Sequence, residues 1–510
     1  MNPTLAAPSH PLTLASVYAD LDRSLGALRA DAGRVRASRQ IVENALTSGD
    51  TFYGINTGFG ALARVRVSDA DLERLQHNLV VSHAVGVGPL VPKAVTRLML
   101  RLKVHALGLG FSGVSASTFD RLLVFAERDL IPAVPSRGSL GASGDLAPLA
   151  HLSLPLLGRG QFWDADGERT RPAADVLAEH GLDPIPLHAK DGLALINGTQ
   201  MMSAYGTFVL ERAGWLVKAV DVLAAMSLEA LQGSIKPFDA RIQAIRPHRG
   251  QGLVADNVRA LLAESEILES HRNCGKVQDP YSLRCVPQVH GASRDALAHA
   301  ASVIETEINS VTDNPLVFED GEPAIISGGN FHGQPLALAM DYAAIALAEL
   351  ASIAERRTYL LVEGNDGLPM FLMRETGLNS GFMMPQYTAA SLVSENKVLC
   401  HPASVDSIPS SRGQEDHVSM GSVAALKLFD VLRNVEYVLA IELLTAAQAL
   451  DYRKPLRPGR GVEAAHRFLR AEVPHREHDE DFQGDVARCL DLIQTGALVE
   501  AAEAAVGRLR

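Results

Sequence analysis

Residues 422–453 read SVAALKLFDVLRNVEYVLAIELLTAAQALDYR, thirty-two positions without a glycine or proline and rich in Ala, Leu and Glu. Residues of this kind lose little conformational freedom in a helix, and at about 1.5 Å per residue the stretch would run beyond ~40 Å. Residues 336–363 have the same composition. Helices of this length normally lie side by side in bundles. Two further helical stretches are 201–231, interrupted by Gly206 and Gly214, and 292–311, closed by Thr312-Asp313-Asn314-Pro315. Over 92–107 the apolar residues Val95, Leu98, Met99, Leu102 and Ala106 keep the spacing of one helix face, with proline in the first turn and Gly108 at the end. Strand patterns are short by comparison. Residues 162–171 and 323–326 predict small hairpins, and neither βαβ alternation nor an internal repeat is present. The fold is therefore expected to be mainly α, a long-helix bundle preceded by a loop-rich N-terminal region. Gly, Pro and Ser concentrate between Pro132 and Gly144, and a boundary near 220 divides the expected regions into 1–220 and 221–510.

Composition narrows the function classes. With 510 residues, 47% hydrophobic and 21% charged, the chain has the makeup of a large folded core and not of a disordered one. A net charge of -12 without a long Lys/Arg run offers nothing to a phosphate backbone, so nucleic acid is not an expected partner. The first eight residues have no basic residue ahead of an apolar run, so export is not expected. The apolar stretch 336–361 contains Asp341, Glu349, Glu355, Arg356 and Arg357, which reads as a protein-core helix and not a membrane span. Four scattered cysteines, Cys274, Cys285, Cys400 and Cys489, fit reduced thiols in a cytoplasm. His271 and Cys274 have metal-like spacing, but no second close pair of soft ligands follows, and no metal is expected. The glycines of 108–113 (GLGFSG) match a dinucleotide pattern but follow a helix, so they are read as a helix end. Long Ala-rich helices with an apolar stripe to cover point to a homo-oligomer.

Residues 138–149 read GSLGASGDLAPL and support two readings. One is a small-residue turn ahead of a helix starting at Asp145, with Ser143 or Asp145 as its cap. The other is chemical. If the loop is bent tightly, the unhindered amide nitrogen of Gly144 can attack the carbonyl of Ala142 and close a five-membered ring. Loss of one water from that ring and a second from the Ser143 side chain leaves a methylidene conjugated to an imidazolone, a strong electrophile.

Other motifs follow in order: 53–60 (YGINTGFG), 76–88 (QHNLVVSHAVGVG), 195–200 (LINGTQ), 278–285 (QDPYSLRC), 327–333 (SGGNFHG) and 411–420 (SRGQEDHVSM). Together with the Ala142-Ser143-Gly144 triplet, and over about residues 53–454, the sequence resembles the aromatic amino acid ammonia-lyases that carry a methylidene-imidazolone prosthetic group. The resemblance implies an aspartase/fumarase-like superhelical helix core. It also implies a group built from the chain's own Ala142, Ser143 and Gly144, with no external cofactor, and a homotetramer with active sites shared between subunits. Its motifs imply that Tyr53 is the catalytic base, that Asn197 and Phe331 neighbour the prosthetic group, and that Gln278, Tyr281 and Arg284 serve substrate binding. The planar fork of Arg284 suits an α-carboxylate. Ser82-His83 stands where relatives acting on tyrosine or phenylalanine have His-Leu or Phe-Leu, and Glu415 matches an acid typical of members acting on histidine. His83 and Glu415 would then hold a substrate imidazole. The expected reaction is elimination of ammonia from L-histidine to trans-urocanate, the first step of histidine degradation, in the cytoplasm. The alternatives are a tyrosine or phenylalanine ammonia-lyase, an aminomutase with the same group, or a non-catalytic helical assembly that keeps the fold. Gly413 departs from the Asn found in many members, and no motif lies beyond 456.

Overall fold

The structure, a computed structural model, describes residues 11–48, 52–58, 67–273 and 275–510. The first eight residues, Phe59 and Gly60 of the first motif, and Cys274 lie outside the described residues. The chain forms two compact units. The first comprises Met1–Phe208, Ala301–Asp341 and Pro402–Leu426, and the second Val209–Ala300, Tyr342–His401 and Lys427–Arg510. This division differs from a single cut near 220. Four of the five passages between units fall inside the helices Gln200–Ala230, Val286–Ile308, Gln334–Val362 and Gly421–Asp451, and the fifth falls between helices at His401 and Pro402. Turn-forming residues mark where helices end, and a division running through helix interiors leaves no such mark.

These four helices match the predicted ones closely at most ends. Val286–Ile308 begins six residues ahead of the expected 292, because Pro287 sits in its first turn, where the missing N–H is not needed. Gly206 does not interrupt its helix. A Cβ there would come within 2.5 Å of Ile304 Cδ1, so the glycine permits close packing of two helices in the first unit.

In the first unit, Lys93–Gly108 is buried along most of its length and starts directly after Pro92. Gly108 ends this helix and Gly110 and Gly113 follow it, so the glycines come after a helix and not a strand, and a Cβ at Gly108 would strike the Leu28 side chain at 2.5 Å. Ala116–Glu127 is capped by the Ser115 hydroxyl, which itself donates to the buried Asp191 carboxylate at 2.7 Å. Asp191 also accepts from the Ser115 and His188 amides and from Thr118 Oγ1, so one carboxylate organises two helix starts. Among the described residues, the unit also has three two-stranded antiparallel pairs: Val87–Leu90 with Pro135–Arg137, Gln161–Trp163 with Thr170–Pro172, and Leu316–Val317 with Ile325–Ile326. The second is the expected 162–171 hairpin; of the third, only Ile325–Ile326 lies in the expected 323–326 stretch, and the first pair was not foreseen.

The second unit is a stack of helices around buried ion pairs. Arg357 donates to Glu442 through Nε at 2.5 Å and Nη2 at 2.9 Å, and Ser227 donates to the same carboxylate at 2.8 Å. Asp221 accepts from His290 Nδ1 at 2.8 Å and from Arg294 at 2.6 Å. His290 also faces Arg357 Nη1 through Nε2, and burial holds its pKa down at about 4. The Gln334–Val362 helix is long and apolar enough to cross a membrane, with a mean hydropathy of 1.6, yet 67% of that apolar window is buried within the protein. His271 turns Nδ1 to the Ile267 carbonyl at 2.6 Å and Nε2 to that of Gly233 at 2.9 Å, so backbone occupies both ring nitrogens.

Candidate active site

The 138–145 loop leaves the Pro135–Arg137 strand and passes through left-handed backbone at Gly138, Gly141 and Gly144. At Gly144, with φ +75°, a Cβ would lie 2.0 Å from the Gly198 carbonyl oxygen, so no other residue fits. The loop is tied down on two sides. Asp145 N–H donates to Gly198 O at 2.7 Å, and Met420 N–H donates to Leu140 O at 2.9 Å. Ser419 Oγ donates to Gly141 O at 3.1 Å, and Ser422 Oγ bonds to Ser139 Oγ at 2.6 Å. Ala142 packs with Val418 and Met420 in a small buried cluster. A tightly turned loop with the unhindered amide of Gly144 and a partly buried Ser143 suits the cyclisation that the triplet implies.

The helix after the loop is Leu146–Ser153, but the Asp145 side chain does not cap it. The carboxylate instead accepts from the Met201 and Met202 amides at 2.9 and 3.0 Å and from Ser422 Oγ at 3.1 Å. It thus caps the long Gln200–Ala230 helix, and its complete burial raises its pKa to about 7. No local sequence pattern announces a cap from a partner 56 residues away.

Two cavities meet at Ser143. One, of about 420 Å³, is lined by Tyr53, Asn78, His83 and Leu146, and the other, of about 450 Å³, by Ala142, Asn314, Phe331, His332 and His417. Tyr53, Ser143, Asn197 and Glu415 line both. Tyr53 is half-buried at the start of a turn, where Gly54 N–H donates to Thr57 Oγ1 at 3.1 Å and Phe52 N–H to Asn56 Oδ1 at 2.8 Å. Asn197 ends the Asp191–Ile196 helix. Its Nδ2 donates to Asn314 O at 2.8 Å and its carbonyl accepts from the buried Lys103 at 2.5 Å. Burial lowers the Lys103 pKa to about 7, partly opposed by Asp313. Lys103 was not foreseen as a neighbour of the site, although a lysine in the apolar run Leu102-Lys103-Val104 is itself a sign of a buried amine.

His83 is the last residue of the Leu72–His83 helix, and its Nδ1 lies 2.8 Å from Leu79 O. A carbonyl only accepts, so Nδ1 carries the proton in that contact and Nε2 is left with a lone pair. Burial lowers the His83 pKa, against the opposing pull of the Leu79 carbonyl and Glu415, which favours the neutral ring. Glu415 accepts from Ser143 Oγ at 3.2 Å and from Ser410 Oγ at 2.6 Å.

Three predicted site residues are not among those lining these cavities. Gln278, Tyr281 and Arg284 belong to the second unit, and none lines either cavity of the first. Gln278 borders a separate cavity of about 540 Å³ with Lys276 and Asp279. Tyr281 is 70% exposed, and the Arg284 guanidinium lies 4.4 Å from the Tyr281 ring centroid while its Nε–H donates to Asp279 O at 3.0 Å.

The family model for aromatic amino acid lyases matches residues 12–471. A histidine ammonia-lyase of Sorangium cellulosum (strain So ce56) is 55% identical over 485 residues, covering 93% of this chain and 94% of that protein. Among solved structures, histidine ammonia-lyase from Trypanosoma cruzi is 41% identical with a TM-score of 0.88, covering 97% of this chain and 94% of that one. Tyrosine aminomutase from Streptomyces globisporus is 36% identical with a TM-score of 0.89, covering 98% of this chain and 100% of that one. The backbone is thus shared by lyase and mutase alike, and with a model match running through every motif around Ser143, the chain belongs to the aromatic amino acid lyase family.

Proposed function

We propose that this protein eliminates ammonia from L-histidine to give trans-urocanate. The observation that carries the reading is one cavity in which the modifiable Ser143 is flanked by Tyr53, His83 and Glu415. A polar ring needs polar partners, because a site built to hydrogen-bond a ring rejects analogues that leave its groups unpaired. His83 offers the lone pair on Nε2 and Glu415 its carboxylate, and both suit ring N–H groups. The solved tyrosine aminomutase matches the backbone as well as the histidine enzyme does, so the choice of substrate rests on these side chains.

A methylidene-imidazolone formed from Ala142, Ser143 and Gly144 supplies an electrophile that makes the substrate amine a better leaving group. Tyr53 takes the β-proton, Asn197 and Phe331 border the reacting end, and His83 with Glu415 orients the ring. Arg284 binds the α-carboxylate together with Tyr281 and Gln278. Because these three do not line the Ser143 cavities of their own chain, we assign them to the site of another subunit in a homotetramer. An apolar stripe at Leu338, Tyr342 and Ile345, each about half exposed at one-turn spacings along Gln334–Val362, supports assembly. The thiols of Cys285, Cys400 and Cys489, none of them in a disulfide among the described residues, suit a reducing cytoplasm.

Adding L-histidine and following urocanate by its ultraviolet absorption tests the reaction. Intact mass tests the group: the mature chain weighs two waters less than its sequence, and Ser143→Ala does not. Product analysis with tyrosine and phenylalanine separates the lyase and aminomutase alternatives. A protein that turns over tyrosine and ignores histidine refutes the substrate assignment.

A further inference from the structure

Glu415 has two hydroxyl partners, and they differ in fate. Ser143 donates to Oε1 at 3.2 Å and Ser410 to Oε2 at 2.6 Å. On the function proposed above, on which this inference rests, maturation removes the Ser143 hydroxyl as water. Oε1 then loses its donor, and Oε2 keeps its own.

The Ser410 contact is built into the chain. Ser411, Arg412 and Gly413 are consecutively left-handed, with φ of +48°, +56° and +81°. Such a run is disfavoured for serine and arginine and turns the backbone sharply. It closes a bridge in which Ser410 N–H donates to Glu415 O at 2.9 Å and Glu415 N–H to Ser410 O at 3.4 Å. A Cβ at Gly413 would meet nothing within 4 Å, so the glycine is needed there for its conformation and not for space. The turn therefore fixes the Ser410 hydroxyl beside Oε2, and a carboxylate held by one oxygen cannot rotate freely. We propose that Ser410 is a positioning residue for ring recognition: it anchors Oε2 of Glu415, so that the Oε1 vacated by Ser143 presents its lone pairs to an N–H of a nitrogen heterocycle.

The test compares equilibrium binding of trans-urocanate, which has ring nitrogens, with that of cinnamate, which has the same propenoate on a ring without them. The expected result is that Ser410→Ala weakens urocanate binding by about tenfold or more, the scale of one hydrogen bond to a charged group, and moves cinnamate binding less than about twofold. Ser410→Thr, which keeps the hydroxyl, stays within about threefold of the parent for urocanate on the same scale. Unchanged urocanate binding in the Ala variant, equal weakening of both ligands, or a folded Thr variant as defective as Ala overturns the proposal. If thermal melting shows that the Ala variant does not fold, Ser410→Cys, similar in size and a poor donor, is judged by the same criteria. Repeating the substitutions in a Ser143→Ala background, where the competing hydroxyl is absent from the start, reads the Ser410 contribution independently of maturation. Intact mass of the parent protein then separates the two questions: absence of the two-water loss defeats the proposed function, and absence of selective weakening defeats the role of Ser410.

Discussion

Tyr53 is asked to work as a base, although an unperturbed phenol titrates near 10 and burial alone pushes it higher. Tyr53 lines both of the cavities that Ser143 lines, which supports the proposed role as base. Tyr53→Phe is expected to lower turnover on L-histidine by about 10² to 10⁴-fold, the usual scale for a lost general base, with the two-water mass loss retained. Near-normal turnover would remove Tyr53 from the mechanism. Gly144 makes the opposite kind of contribution, through what it lacks. A methyl group 2.0 Å from the Gly198 carbonyl cannot be accommodated, so Gly144→Ala is expected to abolish the mass loss and the activity together. A matured, active Ala variant would show that the loop tolerates the displacement.

Among the helices, the clearest conflict between burial and charge lies at Glu229, one residue from the end of Gln200–Ala230. Its fully buried carboxyl accepts from the Gly459 amide at 2.9 Å, at the start of Arg460–Arg470. A helix start favours a negative charge, but desolvation is the larger effect and raises the Glu229 pKa from 4.5 to about 7. The folded state therefore binds the proton more tightly than the unfolded chain. That contribution to stability is complete below about pH 4.5 and is lost as the pH rises through 7. Glu229→Gln keeps the acceptor and removes the titration. The substituted protein is expected to match the parent at pH 4.5 and to gain on it up to pH 7, by about 3 kcal/mol for a shift of some two and a half pH units. Melting curves across this range check it, and a difference independent of pH would assign Glu229 no titrating role. The same helix starts at a cap supplied by Asp145, so both of its ends are held by groups far away in the chain.

At the scale of the whole molecule, Arg284 is not among the residues lining the Ser143 cavities, and its proposed assignment to another subunit's site makes assembly testable. If each site combines Tyr53 of one subunit with Arg284 of another, Tyr53→Phe and Arg284→Ala proteins are each defective, yet mixed oligomers contain some sites with both residues intact. Co-refolding the two in equal amounts is expected to restore about a quarter of the parental activity, the random-assortment value for two contributing subunits in a closed oligomer. No recovery from demonstrably mixed oligomers would place both residues on one chain. Disrupting the stripe with Ile345→Glu is expected to dissociate the oligomer and abolish turnover together, measured by light scattering alongside the urocanate assay.

The long helices were legible because Ala, Leu and Glu without Gly or Pro leave the backbone little alternative, and hairpins such as Gln161–Trp163 with Thr170–Pro172 because turn residues punctuate them. The Ala142-Ser143-Gly144 triplet that the proposed group requires was legible too, since it is a matter of three adjacent residues. What the chain order concealed were pairings that no local pattern announces: Asp145 capping Met201 and Met202, Lys103 holding the Asn197 carbonyl, the antiparallel partner of Val87–Leu90, and the Ser410 grip on Glu415 five positions further on. Local propensity is a property of neighbours along the chain, whereas burial, which moves the titrations of Asp145, Lys103 and Glu229, belongs to neighbours in space. Only the tertiary structure decides those.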